Sequence, residues 1–237
     1  MDGDVTSPIA GLGAAIRRRS TTEQAADAVR QAILSGRLLP GTPLREAALA
    51  SELGISRSTL REAARTLESE GLVHYRMNRG IVVAEITAAD VTDIYAARAA
   101  VELAAADALT GHRDPAVYAA LAGLVERIEH AFDGGDTAAV LDGDRRFHAT
   151  LVAATGSARL RRYHEQLQQE QRLALALSER SRRELGRTTD DHRQLLEALR
   201  GTPERARAEL TTHLRAGAAE LRRLLDLLDQ RRKDPRG

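Results

Sequence analysis

The chain has 237 residues, enough for two modest domains with their own apolar cores. It contains no cysteine, which excludes a disulfide framework and a thiolate metal site. The formal net charge is +1 and aromatic residues make up 3%, so the composition provides neither a general attraction to nucleic acid nor the stacking platforms of a single-strand binder. No secretory segment or membrane-length apolar run is apparent, and we expect a cytoplasmic protein without membrane contact.

The first part of the chain is predicted to be helical after a flexible tail at residues 1–21. Apolar side chains recur at helical spacing over 22–35, and Gly36 ends the pattern. A short second helix is predicted over 44–53. Gly54 then provides a tight turn before the next helix.

The third predicted helix carries cationic side chains. It opens at Ser56, a good N-cap residue, and stops at Gly71, a good residue just past a helix end. One face is an apolar stripe formed by Leu60, Ala63, Ala64 and Leu67, and a neighbouring face has arginines at Arg57, Arg61 and Arg65. A helix that packs by one face and presents cations on another can enter a DNA major groove. The alternative is a solvated face whose arginines pair with Glu62 or Glu68.

Two β-type runs follow, LVHYR and IVVAE, with a glycine-bearing turn at 78–80 between them. Such a pair predicts a β-hairpin. Three helices followed by a hairpin make a winged helix-turn-helix domain, here over residues 22–85.

The winged segment also resembles a known family. It contains the run ILSGRLLPGTPLREAALASELGISRSTLREAARTLESEGLV, followed by a hairpin ending in RGIVV, and this pattern resembles the DNA-binding domain of the GntR family. The resemblance implies a transcription regulator that binds double-stranded DNA through the start of the third helix and through the wing tip. The residues it assigns to DNA are Ser56, Arg57, Ser58, Thr59, Arg61, Arg79 and Gly80. Many relatives have a charged or polar DNA contact on the second helix, where this chain has Ala47 and Ala48.

The rest of the chain shows only helical periodicity. Thr87 and Asp90 form a capping box at its start. Six helices are predicted, over about 88–110, 115–133, 137–155, 158–183, 187–200 and 203–231. Short connections between them imply an antiparallel all-α bundle over residues 86–231, followed by a tail at 232–237. The predicted fold class is therefore mainly α.

Four possible metal ligands fall on inward faces of this bundle. Asp144 and His148 are four residues apart, so they share one face of one helix. His192 and His213 lie on leucine-rich stripes of the last two helices, nine residues before and ten residues after the turn at 201–203. At a rise of about 1.5 Å per residue, both imidazoles lie roughly 14–15 Å from that turn and can meet at one level.

Three imidazole nitrogens and one carboxylate oxygen suit Zn²⁺ first, and Ni²⁺ or another first-row divalent ion as well. The alternative is a set of hydrogen-bonded core histidines. A metal with open positions also allows a metalloenzyme fused to a DNA-binding module, or a metal-ion sensor. The chain has no HExxH arrangement at His148, and we predict that it is not an enzyme. The remaining histidines, His74, His112, His130 and His164, are interpreted as surface or packing residues.

A second resemblance concerns the bundle. Its segments DIYAARAAVELAAA, DRRFHATLVAATGS, DHRQLLEALR and HLRAG are similar to the FCD effector domain of FadR-like GntR regulators. The resemblance implies that Asp144, His148, His192 and His213 ligate the metal. It also implies an effector that is a small carboxylate bound at the metal or beside it.

Arg98 falls on the buried stripe of the first bundle helix, and a buried guanidinium requires a partner. Glu102, one turn later, is one possible partner, and an effector carboxylate is another. Both contacts can exist together. We further expect a homodimer on an inverted-repeat operator, because a two-fold operator needs two recognition helices and one chain supplies one.

Overall fold

The computed structural model describes residues 20–176 and 188–233 of the chain. Most of the predicted N-terminal tail, the end of the helix predicted over 158–183, and residues 234–237 lie outside these ranges. Within them the elements are α1 Thr21–Leu34, β1 Pro43–Leu44, α2 Glu46–Glu52, α3 Arg57–Ser69, β2 Val73–Arg76, β3 Gly80–Val83, α4 Ala88–His112, α5 Pro115–Asp133, α6 Thr137–Ala153, α7 Ala158–Ala176, α8 Thr188–Leu199 and α9 Pro203–Lys233. The predicted fold class, a winged helix-turn-helix followed by a helical bundle, is confirmed.

Helix α3 forms for the reasons that its sequence suggests. The Ser56 hydroxyl accepts a hydrogen bond from the Thr59 backbone N–H at 3.1 Å, which satisfies one of the otherwise unpaired donors of the first turn. The apolar stripe is buried at Leu60, Ala63, Ala64 and Leu67. The helix is thus held by one face and leaves the other faces to solvent.

The wing is a three-stranded antiparallel sheet in the order β1-β3-β2. Strands β2 and β3 form the predicted hairpin. Strand β1 corrects the sequence analysis, which placed Leu44 at the start of the second helix. Leu44 instead pairs with Ile81 of β3, and the helix begins at Glu46. Pairing gives the backbone of β1 hydrogen-bond partners and leaves the Leu44 side chain 6% exposed.

The buried apolar residues form two clusters, one in the winged region and one in the bundle. Leu173 of α7 is fully buried in the winged cluster, whereas its neighbour Ala174 belongs to the bundle cluster. On the same helix, Glu170 lies against Gly71, where an added Cβ would come within 2.9 Å of the Glu170 Cγ atom. Helix α7 therefore connects the two parts of the molecule.

Helices α5 and α6 approach each other closely at Gly143. A Cβ added to Gly143 would lie 2.5 Å from the Cγ1 atom of Ile128, so a side chain there requires Ile128 or its helix to move. Gly143 directly precedes Asp144, so this close approach lies beside one of the candidate ligands. Among the described helices, none has the length and apolar character that crossing a membrane requires.

Candidate functional site

The predicted DNA-contacting residues of α3 lie together at the exposed start of the helix. Arg57 and Ser58 are exposed, and Thr59 is half-buried. The Ser56 hydroxyl lies 2.8 Å from the hydroxyls of both Ser58 and Thr59. The polar side chains that would meet a nucleic acid are therefore ordered by the same group that caps the helix.

Arg61 has an ion-pair partner that the sequence analysis did not name. Its Nε donates to Glu46 of α2 at 2.7 Å, and 65% of its side chain is exposed. The alternative partners considered, Glu62 and Glu68, are not used for this bond. The pair links the two helices of the helix-turn-helix and holds the guanidinium at the surface.

The wing tip is a tight turn that needs left-handed backbone conformations. Asn78 and Gly80 have φ angles of 65° and 70°, and Arg79 between them is exposed. Two apolar side chains that the sequence analysis passed over, Tyr75 and Met77, are 66% and 86% exposed beside this turn.

The four predicted metal ligands come together in the bundle. Asp144 and His148 lie on α6, His192 on α8 and His213 on α9. One ligand atom from each lies within 4.8 Å of all the others. The Nε2 atoms of His148 and His213 are 3.1 Å apart, and Asp144 Oδ1 lies 3.1 Å from His192 Nε2 and 3.6 Å from His148 Nε2.

One pair of these ligands has the spacing that a small divalent cation requires, and the other ligands lie close enough to reach the same ion after small shifts. With Zn–N bonds of about 2.0–2.1 Å, two nitrogens on a tetrahedral ion are separated by about 3.3–3.4 Å. The His148 and His213 nitrogens are within a few tenths of an ångström of that separation. The Nδ1 atom of His213 has no hydrogen-bond partner among the described residues, so the Nε2 contact is the polar contact that holds this ring. Neutral imidazoles and one carboxylate are also the ligand types that Zn²⁺ prefers.

Electrostatics prepare His213 and Asp144 to bind a cation, whereas His148 must release a proton when it does so. Burial lowers the pKa of His213 well below its ordinary value, and the neighbouring His148 and His192 lower it further, so the ring is neutral. Burial alone would raise the pKa of Asp144, but hydrogen bonds from His148 and His192 hold that pKa well below its usual range. Burial likewise opposes a charged His148, but Glu102 raises the pKa of His148 to about 9.

Glu102 forms a buried layer behind the ligands. Its carboxylate accepts from Arg98 Nε at 2.8 Å, from His148 Nδ1 at 2.5 Å and from His164 Nε2 at 3.0 Å. Burial would raise the pKa of Glu102, yet Arg98 and His148 hold it well below its ordinary value. The bond to His148 Nδ1 turns the Nε2 atom of that ring toward the cluster, as carboxylates do behind metal-bound histidines.

His164 was interpreted from sequence as a surface or packing residue, and it is in fact 1% exposed and bonded to Glu102. A signal existed in the sequence. His164, Gln168 and Gln171 recur at i, i+4 and i+7, which places three polar side chains on one face of α7. What the pattern does not reveal is that Glu102 of another helix meets this face.

Arg98 is 2% exposed and has several partners. Besides Glu102, it donates through Nη1 to Gln171 Oε1 at 2.6 Å, and its guanidinium carbon lies 5.0 Å from the centre of the Tyr95 ring. The Nη2 atom is buried and has no hydrogen-bond partner among the described residues. The Glu102 contact, one of the two predicted alternatives, is thus present, and one guanidinium nitrogen has no acceptor among the described residues.

A cavity of about 250 Å³ lies next to this centre, between the end of α1, helix α6 and helix α7. Its lining consists of Leu34, Ser35, Ala138, Leu141, Asp142, Asp144, Arg145, Gln168, Gln171, Arg172 and Leu175. Asp144 connects the cavity to the histidine cluster, and Gln171 connects it to Arg98. A small molecule in the cavity would therefore meet both the candidate metal centre and the buried network.

Comparison with known proteins identifies the families to which the two parts of the chain are similar. A profile described as the FCD domain matches residues 93–216, and one described as bacterial regulatory proteins, gntR family, matches residues 21–83. The chain belongs to the GntR family. It is 30% identical over 202 residues to a Paenarthrobacter nicotinovorans protein named as a probable D-xylose utilization operon transcriptional repressor, covering 85% of this chain and 88% of that protein. It is 27% identical to the gluconate operon transcriptional repressor of Bacillus subtilis, covering 81% of this chain and 80% of the relative.

Solved structures give the same result for this GntR-family chain. A transcriptional regulator GntR from Rhodococcus sp. RHA1 matches with a TM-score of 0.73 at 29% identity, over 86% of this chain and 98% of that one. E. coli McbR/YncC matches with a TM-score of 0.72 at 25% identity, with the same coverage of 86% and 98%. The chain is a DNA-binding transcription regulator with an FCD domain. Because these relatives are regulators, the prediction that the chain is not an enzyme is also confirmed.

Proposed function

We propose that this GntR-family protein is a cytoplasmic transcriptional repressor, and that its bundle binds a divalent metal ion and a small organic-acid effector. The observation that carries the proposal is the convergence of Asp144, His148, His192 and His213 to within 4.8 Å. Zn²⁺ is the first choice of ion because the donors are three imidazoles and one carboxylate. When bound, the ion would supply a positive charge, and expansion of its coordination beyond the four protein ligands would let it take a carboxylate.

The DNA-binding part of the proposal assigns Ser56, Arg57, Ser58, Thr59, Arg61, Arg79 and Gly80 to the operator. It is supported by the exposure of Arg57 and Arg79 and by the order that the Ser56 cap imposes on the start of α3. Two copies of the chain would read the two halves of an inverted repeat. The relatives named for D-xylose and gluconate operons are described as repressors, and we therefore propose repression for this chain.

The effector part assigns a carboxylate to the metal and to Arg98. It is supported by the unpartnered Nη2 atom of Arg98 and by the adjoining cavity. A guanidinium binds carboxylates through its planar array of N–H donors. Since an effector shifts an equilibrium only by its different affinities for the two states, the expected change in operator affinity is about 1–3 kcal/mol.

The test compares wild type with His213→Ala, and with His130→Ala as a matched control at an exposed histidine. Elemental analysis should find about one divalent ion per chain in wild type and in the control, and none in His213→Ala. Operator duplexes selected from a random pool should bind all three proteins in the absence of acid. Addition of D-gluconate or acetate should weaken binding by wild type and the control, and leave His213→Ala unaffected.

The outcomes separate the parts of the proposal. A wild type that contains no divalent metal and shows no thermal shift with added Zn²⁺ or Ni²⁺ contradicts the metal site. Operator binding that follows buffered Zn²⁺ alone, with no effect of the acids, makes the ion itself the effector and the protein a metal sensor. Failure of wild type to select any duplex contradicts the DNA assignment.

A further inference from the structure

We infer that the effector site includes the DNA-binding domain itself, because the end of α1 forms one wall of the cavity beside the metal centre. Leu34 and Ser35 line this cavity together with Asp144, a candidate metal ligand. The inference rests on the proposed function, since it names further residues that the proposed organic acid contacts. It adds that the acid touches the winged domain directly.

The wall is held in place by contacts between the winged domain and α7. Leu173 of α7 is fully buried in the winged core, and the Glu170 side chain lies close to Gly71. Within the winged domain, Arg30 of α1 donates to Glu70 at 2.7 Å, which ties α1 to the end of α3. The same helix α7 supplies Gln168, Gln171 and Arg172 to the cavity. The position of Ser35 over the cavity is thus fixed by a packed junction.

The chemistry of the lining selects the class of ligand. In this lining, Gln168 is buried and Asp144 is half-buried. Arg172 and Ser35 are exposed. Of the two carboxylates in the lining, Asp142 is paired with Arg145 and Asp144 belongs to the metal centre. The amides, the Ser35 hydroxyl and Arg172 then suit a small hydroxy acid, with its carboxylate toward the metal and its hydroxyls toward Gln168 and Ser35. The volume of about 250 Å³ lies below the range of about 300–1,000 Å³ that accommodates drug-sized molecules, so the occupant is a small metabolite.

The shared wall gives the acid a direct means of distinguishing two arrangements of the molecule. With the winged domain docked on α7, the acid has contacts on both sides. With the winged domain displaced, the contacts to Leu34 and Ser35 are lost and the acid binds less tightly. By linkage, the acid favours the docked arrangement by the same factor. No signal has to travel through the bundle for this part of the response.

The test uses zinc-loaded full-length protein and two probes, D-gluconate and acetate. Ser35→Glu places a negative charge in the wall, and Ser35→Gln places a neutral side chain of similar size there. Gln31→Glu adds the same charge one turn earlier, at an exposed residue that is not among the lining residues. Calorimetric titration should give about ten-fold weaker D-gluconate binding for Ser35→Glu and less than two-fold change for Gln31→Glu. Acetate, which occupies the metal end, should change little in any variant.

A second measurement does not depend on the folding of a charged variant. The chain has no cysteine, so Ser35→Cys and Gln31→Cys each create a single thiol. Saturating D-gluconate should slow alkylation of the first thiol by iodoacetamide at least five-fold, and leave the second unchanged. Equal D-gluconate affinity in Ser35→Glu and Gln31→Glu, or no protection of the thiol at position 35, overturns the inference while the proposed function stands. If zinc-loaded wild type binds neither acid, the organic-acid part of the proposed function fails, and this inference fails with it.

Discussion

The two functional regions of this regulator are built in opposite ways. In the winged domain, the candidate DNA-contacting side chains lie outside the core, on exposed faces of one helix and one turn. In the bundle, Glu102, His148 and His192 lie inside the core, and the other two candidate ligands, Asp144 and His213, are half-buried. In the first region, a DNA-contacting side chain can therefore be replaced without a large loss of stability. In the second, the residues that serve the candidate site also stabilise the fold.

The largest effect is expected from Glu102→Gln. The substitution removes the negative charge that accepts hydrogen bonds from Arg98, His148 and His164, and leaves a buried guanidinium without its counter-ion. Breaking a buried ion pair typically costs about 3–5 kcal/mol in the free energy of unfolding. Urea unfolding of metal-free protein, followed by circular dichroism, measures this loss. Glu129→Gln is the control, because the pair of Glu129 with Arg193 lies at the surface and is expected to contribute little to stability. Equal losses of unfolding free energy in the two variants would contradict the claim that the residues of the bundle site also stabilise the fold.

An intermediate effect, confined to DNA binding, is expected from Arg57→Ala. If the guanidinium reads a base edge, operator affinity should fall by about 1–3 kcal/mol. The free energy of unfolding should stay within about 0.5 kcal/mol of wild type, because the exposed side chain contributes nothing to the core. Fluorescence anisotropy with the selected duplex and urea unfolding give the two numbers. A stability loss as large as the binding loss would remove the contrast between the two regions.

The smallest effect is expected at Ser56, the residue at which the contrast should be weakest. Ser56→Ala removes the cap of α3 and should cost about 1 kcal/mol in the free energy of unfolding. Ser56→Asp keeps a side-chain acceptor for the Thr59 N–H and should retain stability, yet its charge should repel phosphates and reduce operator affinity. Parallel unfolding and anisotropy measurements on both variants separate capping from DNA contact. Retained operator affinity in Ser56→Asp would show that this position lies away from the DNA backbone.

The winged domain was predictable in most of its detail because its determinants are local. Ser56 as cap, the stripe from Leu60 to Leu67 and the glycine-bearing hairpin turn are all read from neighbouring residues. Strand β1 was missed because its two residues carry no periodicity of their own. They become a strand only by pairing with β3. For the same reason Glu46 was not foreseen as the partner of Arg61, which lies on another helix.

In the bundle, the meeting of His192 and His213 was predictable from one geometric fact. Two antiparallel helices joined by a short turn bring residues at equal distances from the turn to one level, and both rings do meet there, with centroids 4.7 Å apart. The contacts of Glu102 with His148 and His164 were beyond such reasoning, because they depend on which helices are neighbours. The cavity at the junction with α1 was also beyond it, since it requires the relative placement of two domains.

Gly143 has no functional group, yet its small size affects the distances between the candidate metal ligands. Metal–ligand distances are met to within about 0.2 Å in a working site. A methyl group at Gly143 would start 2.5 Å from Ile128, and relieving that overlap would displace α6 by several times this margin, or force Ile128 aside. A displaced α6 would carry Asp144 and His148 away from the ligands on α8 and α9. A chain that kept all four ligands but lost this glycine would retain the donor atoms and lose the distances between them that an ion requires.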